Sequence, residues 1–123
     1  MGAMSDSIID REAIRRLEDW GGPHLVTQMI RLFLENAPVR MEQMRACFED
    51  DPGDGPMRGA HSLKSSAANV GAERVRELAQ RMEDLAHEGD LDRFRALVPE
   101  LEAAYAEARD ALEPLTRGSS DEA

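Results

Sequence analysis

Cysteine, aromatic residues and long apolar runs are all scarce in this sequence. Cys47 is the single cysteine among 123 residues, so no disulfide can form within the chain. Aromatic residues make up only 4% of the chain, which disfavours a β-sandwich or a β-barrel. No apolar run approaches the roughly 18 residues that a membrane-spanning helix requires, and no charged start followed by an apolar core marks a secretory signal. We therefore expect a protein of the reducing cytoplasm, with no membrane partner.

Positive charge is also in short supply. The 15 Lys and Arg residues face 25 Asp and Glu residues, and the resulting net charge of -10 argues against sequence-independent binding to nucleic acid. No glycine-rich loop carries the lysine of a nucleotide-binding P-loop. The three histidines, His24, His61 and His87, are not spaced to share one helix face as metal ligands. The sequence therefore predicts neither a cofactor nor a metal site.

Helical periodicity is the main signal in the first half of the chain. Asp10 precedes a short apolar stripe that stops at Gly21 and Gly22, which predicts a short N-capped helix. A second stripe begins at Pro23 and resumes after Pro38, and we predict one long helix that kinks at Pro38. Its apolar positions are Leu25, Val26, Met29, Ile30, Phe33, Leu34, Ala37, Met41, Met44, Cys47 and Phe48. On this stripe the cysteine is predicted to be a small core residue rather than a reactive thiol.

Three further helices are predicted in the second half of the chain. They cover residues 56–70, residues 73–88 and a segment that begins at Asp90, in which Pro99 introduces a kink. Four substantial amphipathic segments with short connections predict an all-α fold, an up-and-down antiparallel four-helix bundle in which the first short helix caps one end.

The domain boundaries follow from composition. We assign residues 8–115 to the bundle. Residues 1–7 are expected to be disordered and to include a cloning remnant ahead of Met4, and residues 116–123 are expected to form a disordered tail.

The helix over residues 56–70 has a small apolar side and a polar side. The polar side carries His61, Lys64 and Ser65. An exposed imidazole is partly neutral at cytoplasmic pH and can act as a nucleophile, and the ammonium of Lys64 can stabilise an incoming phosphoryl group. The small Ser65 leaves room for the active site of a second protein. This arrangement suits phosphoryl acceptance from a partner, but by spacing alone an ordinary solvated histidine beside a surface lysine is the commoner case.

Residues 60–72, with the sequence Ala-His-Ser-Leu-Lys-Ser-Ser-Ala-Ala-Asn-Val-Gly-Ala, resemble the signature of the histidine-containing phosphotransfer (HPt) domain family. That signature is His-x-x-Lys, a small residue, further small or polar residues, and then an apolar residue with Gly-Ala. The order of helices over residues 8–115 is similar to the family as well. The resemblance implies that His61 is the phosphoacceptor through Nε2, that Lys64 is the cation beside the phosphate, and that Ser65, where glycine is commonest, is the small docking-clearance position.

The resemblance also implies a function and partners. The protein would be a phosphocarrier of a two-component phosphorelay, without autonomous kinase activity. It would accept a phosphoryl group on His61 from a receiver-domain aspartate and pass it to another receiver. The implied partners are response regulator receiver domains and a hybrid sensor histidine kinase, and we expect a monomer. The alternative is a helical adaptor or inhibitor that binds a receiver or kinase domain without being phosphorylated.

Two further expectations concern the surroundings of His61. Some members of the family place a glutamine on the following helix, and Glu83 has that spacing here. A carboxylate there would repel phosphate, so we assign Glu83 no role. Residues 57–76 contain four cations, Arg58, Lys64, Arg74 and Arg76, against the single carboxylate of Glu73, a local charge of +3. This surplus predicts a basic rim that steers an acidic receiver site.

Overall fold

The structure, a computed structural model, describes residues 8–121, with side chains up to residue 117. Its helices are α1 (Arg11–Met44), α2 (Gly55–Val70), α3 (Glu73–His87) and α4 (Leu91–Asp121), with a 3-10 turn (Arg45–Phe48) after α1. Over the described range no strand forms, and one isolated bridge pairs Ile9 with Ala72. The predicted all-α class is confirmed. Among these same residues no helix has both the length and the apolarity that a membrane crossing demands.

Helix α1 consists of two arms. The carboxylate of Asp10 accepts a hydrogen bond from the backbone N–H of Glu12 (3.0 Å), which confirms the predicted N-cap. Gly21 and Gly22 break the helix, and Gly22 has a φ of 72° that glycine adopts without the strain of a side chain. The short arm therefore covers residues 11–20, and the long arm covers residues 23–44.

Pro38 and Pro99 lie inside helices, not at their ends. Inside α1 only the two glycines depart from helical dihedrals, so the helix continues through Pro38. Pro38 has no N–H for the carbonyl of Leu34, four residues earlier, and that carbonyl instead accepts a hydrogen bond from the hydroxyl of Tyr105 on α4 (3.3 Å). Helix α4 likewise continues through Pro99. It also remains helical to Asp121, beyond the expected boundary at residue 115, while residues 1–7 lie outside the described range.

One core packs between the helices. Its largest fully enclosed side chains are Ile30, Phe33, Met44, Leu63, Val70, Val75, Met82, Phe94, Leu101 and Leu112. Cys47 is buried with them, as its stripe predicts, and burial raises the pKa of its thiol against the attraction of Arg95. Phe48 is exposed, so its predicted core position is wrong. The 3-10 turn rotates about 120° per residue, which carries Phe48 off the face that buries Cys47.

Close backbone contact holds α2 against α1. A Cβ on Gly59 would lie 2.8 Å from the carbonyl oxygen of Arg40 and 2.8 Å from Cγ of Met44, so only glycine fits at this crossing. Ala60 and Ala67 are also fully buried on the small side of α2. Because the small residues of α2 pack against α1, the polar side of α2 faces solvent, and its position along the bundle is fixed.

The end of α2 is tied to the start of the chain. Gly71 caps α2 with a φ of 75°, and its carbonyl accepts a hydrogen bond from the backbone N–H of Asp10 (2.7 Å). A Cβ on Gly71 would lie 2.5 Å from the carbonyl oxygen of Asp10. The Gly-Ala pair at the end of the motif therefore serves as packing surface for the segment that precedes α1.

Candidate functional site

His61 stands on the polar side of α2 with 62% of its side chain exposed, where the sequence predicts it. Its Nδ1 atom lies 2.8 Å from Oε2 of Glu83 on α3. A carboxylate can only accept hydrogen bonds, so Nδ1 carries the hydrogen in this pair. In the neutral ring the lone pair then resides on Nε2, the nitrogen that Glu83 does not contact.

Lys64 lies one turn from His61, as its spacing predicts, but it is half-buried. Its Nζ atom donates a hydrogen bond to Oε1 of Glu83 (2.7 Å). An ammonium has three N–H donors, so the bond to Glu83 fixes its position and leaves donors for a further acceptor. The cation is thereby held beside the imidazole instead of extending into solvent.

Glu83 is the buried centre of this group. The residue is only 8% exposed, and each of its carboxylate oxygens accepts one hydrogen bond, from His61 and from Lys64. Burial acts to raise the pKa of the Glu83 carboxyl, but the hydrogen bonds from Lys64 and His61 outweigh it, and the pKa lies below its usual range. A buried, ionised carboxylate therefore joins α3 to the polar side of α2.

The contacts of Glu83 were not predicted from the sequence. Glu83 was assigned no role because a carboxylate would repel phosphate, whereas the structure turns that carboxylate toward Nδ1 and Nζ. One sequence signal was available. Glu83 follows Ala79 by four residues and precedes Ala86 by three, so it lies on the apolar stripe of α3. A charged residue on such a stripe requires a partner of opposite charge.

Ser65 is exposed one turn after His61. Its hydroxyl donates a weak hydrogen bond to the carbonyl oxygen of His61 (3.4 Å), so the side chain folds back on its own helix. As a result, the side chain of Ser65 leaves open space beside the imidazole of His61. The structure brings His61, Lys64 and Ser65 together on one side of α2, and Ser65 makes no contact with Glu83.

The imidazole opens into a shallow concavity between α2 and α3. The concavity measures about 420 Å³ and is lined by Met57, Arg58, His61, Ser62, Glu83 and His87. The described residues contain no group of three His, Cys, Asp or Glu side chains arranged to hold a metal ion. The imidazole of His61 thus lines this concavity and is open to solvent.

The predicted basic rim is wrong. Each of its four cations pairs with a carboxylate: Arg58 with Asp54 (3.7 Å), Lys64 with Glu83 (2.7 Å), Arg74 with Glu100 (2.8 Å) and Arg76 with Glu73 (2.9 Å). Three of those carboxylates lie outside residues 57–76 and were omitted from the local charge. Packing against α3 and α4 brings in Glu83 and Glu100, and the start of α2 supplies Asp54, so the count over residues 57–76 misses three negative charges.

A comparison with known families identifies the fold around this site. A family model described as Hpt domain matches residues 28–111, a range that contains α2, α3 and all four of His61, Lys64, Ser65 and Glu83. The curated proteins and the solved structures compared with the chain give no match. Since the matched range covers well over half of the sequence, the chain belongs to the Hpt domain family, whose members are phosphotransfer carriers in phosphorelays.

Proposed function

We propose that this protein is the histidine phosphocarrier of a two-component phosphorelay. His61 accepts a phosphoryl group through Nε2 from the aspartate of one receiver domain and passes it to the aspartate of another. The observation that carries the proposal is the hydrogen bond from Nδ1 to Glu83, which leaves the reactive lone pair on the exposed side of the ring. The bundle of residues 8–115 is proposed to be up-and-down, with the short arm of α1 as its cap.

The proposed transfer step forms one bond and breaks one bond, and it needs no cofactor. The Nε2 lone pair of His61 attacks the phosphorus of an aspartyl phosphate, the N–P bond forms, and the P–O bond to the aspartate breaks with release of its carboxylate. Positive charge develops on the ring as the N–P bond forms, and the ionised Glu83 lies 2.8 Å from Nδ1 to offset it. Return transfer reverses these steps and restores the neutral imidazole.

Lys64 is proposed as the cation that stabilises the phosphoryl oxygens. We expect Lys64→Ala to slow transfer from a phosphorylated receiver by about tenfold. Loss of a fully enclosed hydrogen-bond donor would have a larger effect, but Lys64 is half-buried and water partly screens its charge. The nucleophile remains, so transfer should persist. Single-turnover kinetics with a phosphorylated receiver provide the measurement. A rate equal to wild type would show that Lys64 serves only to neutralise Glu83.

Ser65 is proposed as the clearance position for the docked receiver. Ser65→Arg adds bulk one turn from His61 together with a charge that would attract an acidic partner. We expect slower transfer from a receiver and a melting temperature close to wild type, because Ser65 is exposed and such changes rarely exceed about 0.5 kcal/mol. Faster transfer would show that charge, not space, governs docking at this position.

The proposed partners are receiver domains and a hybrid sensor histidine kinase that meet a monomeric carrier in the cytoplasm. The competing function is a helical adaptor that is never phosphorylated. Incubation of the chain with such a kinase, its receiver and labelled ATP distinguishes the two. A carrier acquires a label that is stable in base and labile in acid, as phosphohistidine is, whereas an adaptor binds its partner and acquires none.

A further inference from the structure

We propose that Glu83 keeps the hydrogen on Nδ1 of His61 after the ring is phosphorylated, so that the free phosphorylated carrier hydrolyses its own phosphohistidine at neutral and mildly alkaline pH. This inference rests on the proposed function and adds an activity to it, a limit on the lifetime of the stored phosphate. Glu83 touches neither the phosphorus nor the attacking water in this step. It is a positioning residue that acts through Nδ1 of His61.

The second ring nitrogen decides how easily the N–P bond breaks. When Nε2 of a ring with its hydrogen on Nδ1 attacks phosphorus, the product is an imidazolium, with phosphate on one nitrogen and hydrogen on the other. If that hydrogen is lost, the ring can release the phosphoryl group only as an imidazolide anion, which is a poor leaving group. Phosphohistidine is labile in acid and stable in base for this reason. The lifetime of the phosphate therefore depends on whether Nδ1 keeps its hydrogen.

Glu83 opposes loss of this hydrogen to water. Its Oε2 atom lies 2.8 Å from Nδ1 of His61, and the residue is only 8% exposed. Without the hydrogen, the lone pair of Nδ1 would point at an ionised carboxylate, so two acceptors would face each other with no donor between them. Such a pair is costly where water does not separate the two atoms. The contact thus favours a ring that stays protonated on Nδ1.

Lys64 opposes transfer of the hydrogen to the carboxylate. Its Nζ atom donates a hydrogen bond to Oε1 of Glu83 (2.7 Å). Burial acts to raise the pKa of the Glu83 carboxyl, but the hydrogen bonds from Lys64 and His61 hold it below its usual range. A protonated carboxyl group would also leave the ammonium of Lys64 with a weaker acceptor. The hydrogen therefore remains on the nitrogen and not on the oxygen.

No other described group takes the place of Glu83. The further charged or titratable side chains that line the concavity of His61 are Arg58 on α2 and His87 on α3. The guanidinium of Arg58 has no acceptor atom, and the test below removes His87. No charged residue of α1 lines the concavity, and those in the turn that touches Gly59 are Arg40 and Glu42.

Water reaches the phosphorylated ring when no receiver is bound. The side chain of His61 is 62% exposed, and its ring lines an open concavity. The oxygen of a water molecule attacks phosphorus, the N–P bond breaks, and its electron pair returns to Nε2. Both hydrogens of the water leave with the released dihydrogen phosphate. The hydrogen on Nδ1 stays in place, so the product is the original neutral imidazole.

The test follows the loss of phosphate from the isolated phosphorylated chain. Phosphoramidate phosphorylates histidine without a docked protein, and the exposed changes His24→Gln and His87→Gln leave His61 as the single histidine of the chain. In this background the rate of hydrolysis should change less than threefold between pH 6.5 and pH 8. With Glu83→Gln the rate should fall by about tenfold for each pH unit above pH 7, because the amide NH₂ stabilises a lone pair on Nδ1. The exposed change Glu88→Gln is the matched control and should keep the flat profile.

Two further measurements do not depend on the rate in the Glu83→Gln variant. The phosphorylated chain unfolded in urea contains the same N–P bond without the carboxylate beside it, and at pH 8 it should lose phosphate at least fivefold more slowly than the folded chain. Nitrogen NMR of the folded phosphorylated chain at pH 8 should show the hydrogen on Nδ1. The Glu83→Gln variant should show a lone pair there.

The outcomes separate this inference from the carrier function. A folded chain whose hydrolysis slows with pH as steeply as that of the unfolded chain would overturn the inference, and so would a Glu83→Gln variant with the wild-type profile. The carrier function would stand in both cases if the labelled chain still passed phosphate to a receiver. If phosphoramidate places no label on His61 and no receiver exchanges phosphate with it, the carrier function fails and this inference fails with it.

Discussion

His61→Gln is expected to abolish phosphate uptake while leaving the bundle folded. The amide of glutamine is not nucleophilic, so no N–P bond can form at position 61. The side chain lies largely in solvent, and a glutamine there can still hydrogen-bond to Glu83, so helical content and melting temperature should match wild type. Labelling with a phosphorylated receiver, together with circular dichroism, measures both quantities.

The matched control for this experiment is His87→Gln. His87 lines the same concavity as His61 but makes no hydrogen bond to Glu83. The His87→Gln variant should take up as much label as wild type under the same conditions. If His61→Gln took up phosphate at the wild-type rate, or if His87→Gln lost the label instead, His61 would not be the phosphoacceptor and the proposed mechanism would have to be abandoned.

Some members of the family carry glutamine at this spacing, but in this chain Glu83→Gln is expected to slow transfer at least tenfold, because Lys64 would hold the acceptor oxygen that orients the imidazole. The carboxylate supplies one acceptor oxygen to His61 and one to Lys64, whereas an amide has a single acceptor. The ammonium of Lys64 has no acceptor function, so it retains the amide oxygen. The NH₂ group then faces Nδ1 of His61, which must accept a hydrogen bond and lose its hydrogen to Nε2. The nucleophilic lone pair is thereby removed from the exposed side of the ring.

Nitrogen NMR of the imidazole measures this change directly. Wild type should show the hydrogen of neutral His61 on Nδ1, and Glu83→Gln should show it on Nε2, a shift that a merely structural loss would not produce. Glu88→Gln serves as the control and should leave both tautomer and rate unaltered, because Glu88 is exposed and lines a different depression, between α3 and α4. A slow Glu83→Gln variant with an unchanged tautomer would argue against the positioning role of Glu83.

Local spacing was enough to predict much of this protein. The all-α class, the Asp10 cap and the break at Gly21 and Gly22 all depend on residues within one or two turns of one another. The exposure of His61 and its proximity to Lys64 follow from the helical period alone. The chemical roles of His61, Lys64 and Ser65 remain predictions that the variants above will test.

The error over Phe48 is local, since a 3-10 turn replaces the helix there, but the errors over Glu83 and the basic rim concern contacts between helices. Glu83 is separated from Lys64 by 19 residues and from His61 by 22, and no local rule pairs residues at such distances. The basic rim failed for the same reason, because Arg74 is neutralised by Glu100 on α4. Helical periodicity shows which face of a segment is buried, but the choice of ionic partner depends on how the faces meet in the bundle.

The contact between Asp10 and Gly71 bears on how this domain can be trimmed. Ile9 is buried, and the backbone N–H of Asp10 bonds to the residue that ends the helix of His61. A shortened version that starts at Arg11, the first helical residue, would leave the Gly71 carbonyl without its donor and open the core beneath Ile9. A minimal functional domain therefore starts no later than Ile9, although Ile9 and Asp10 contribute nothing to the recognisable motif.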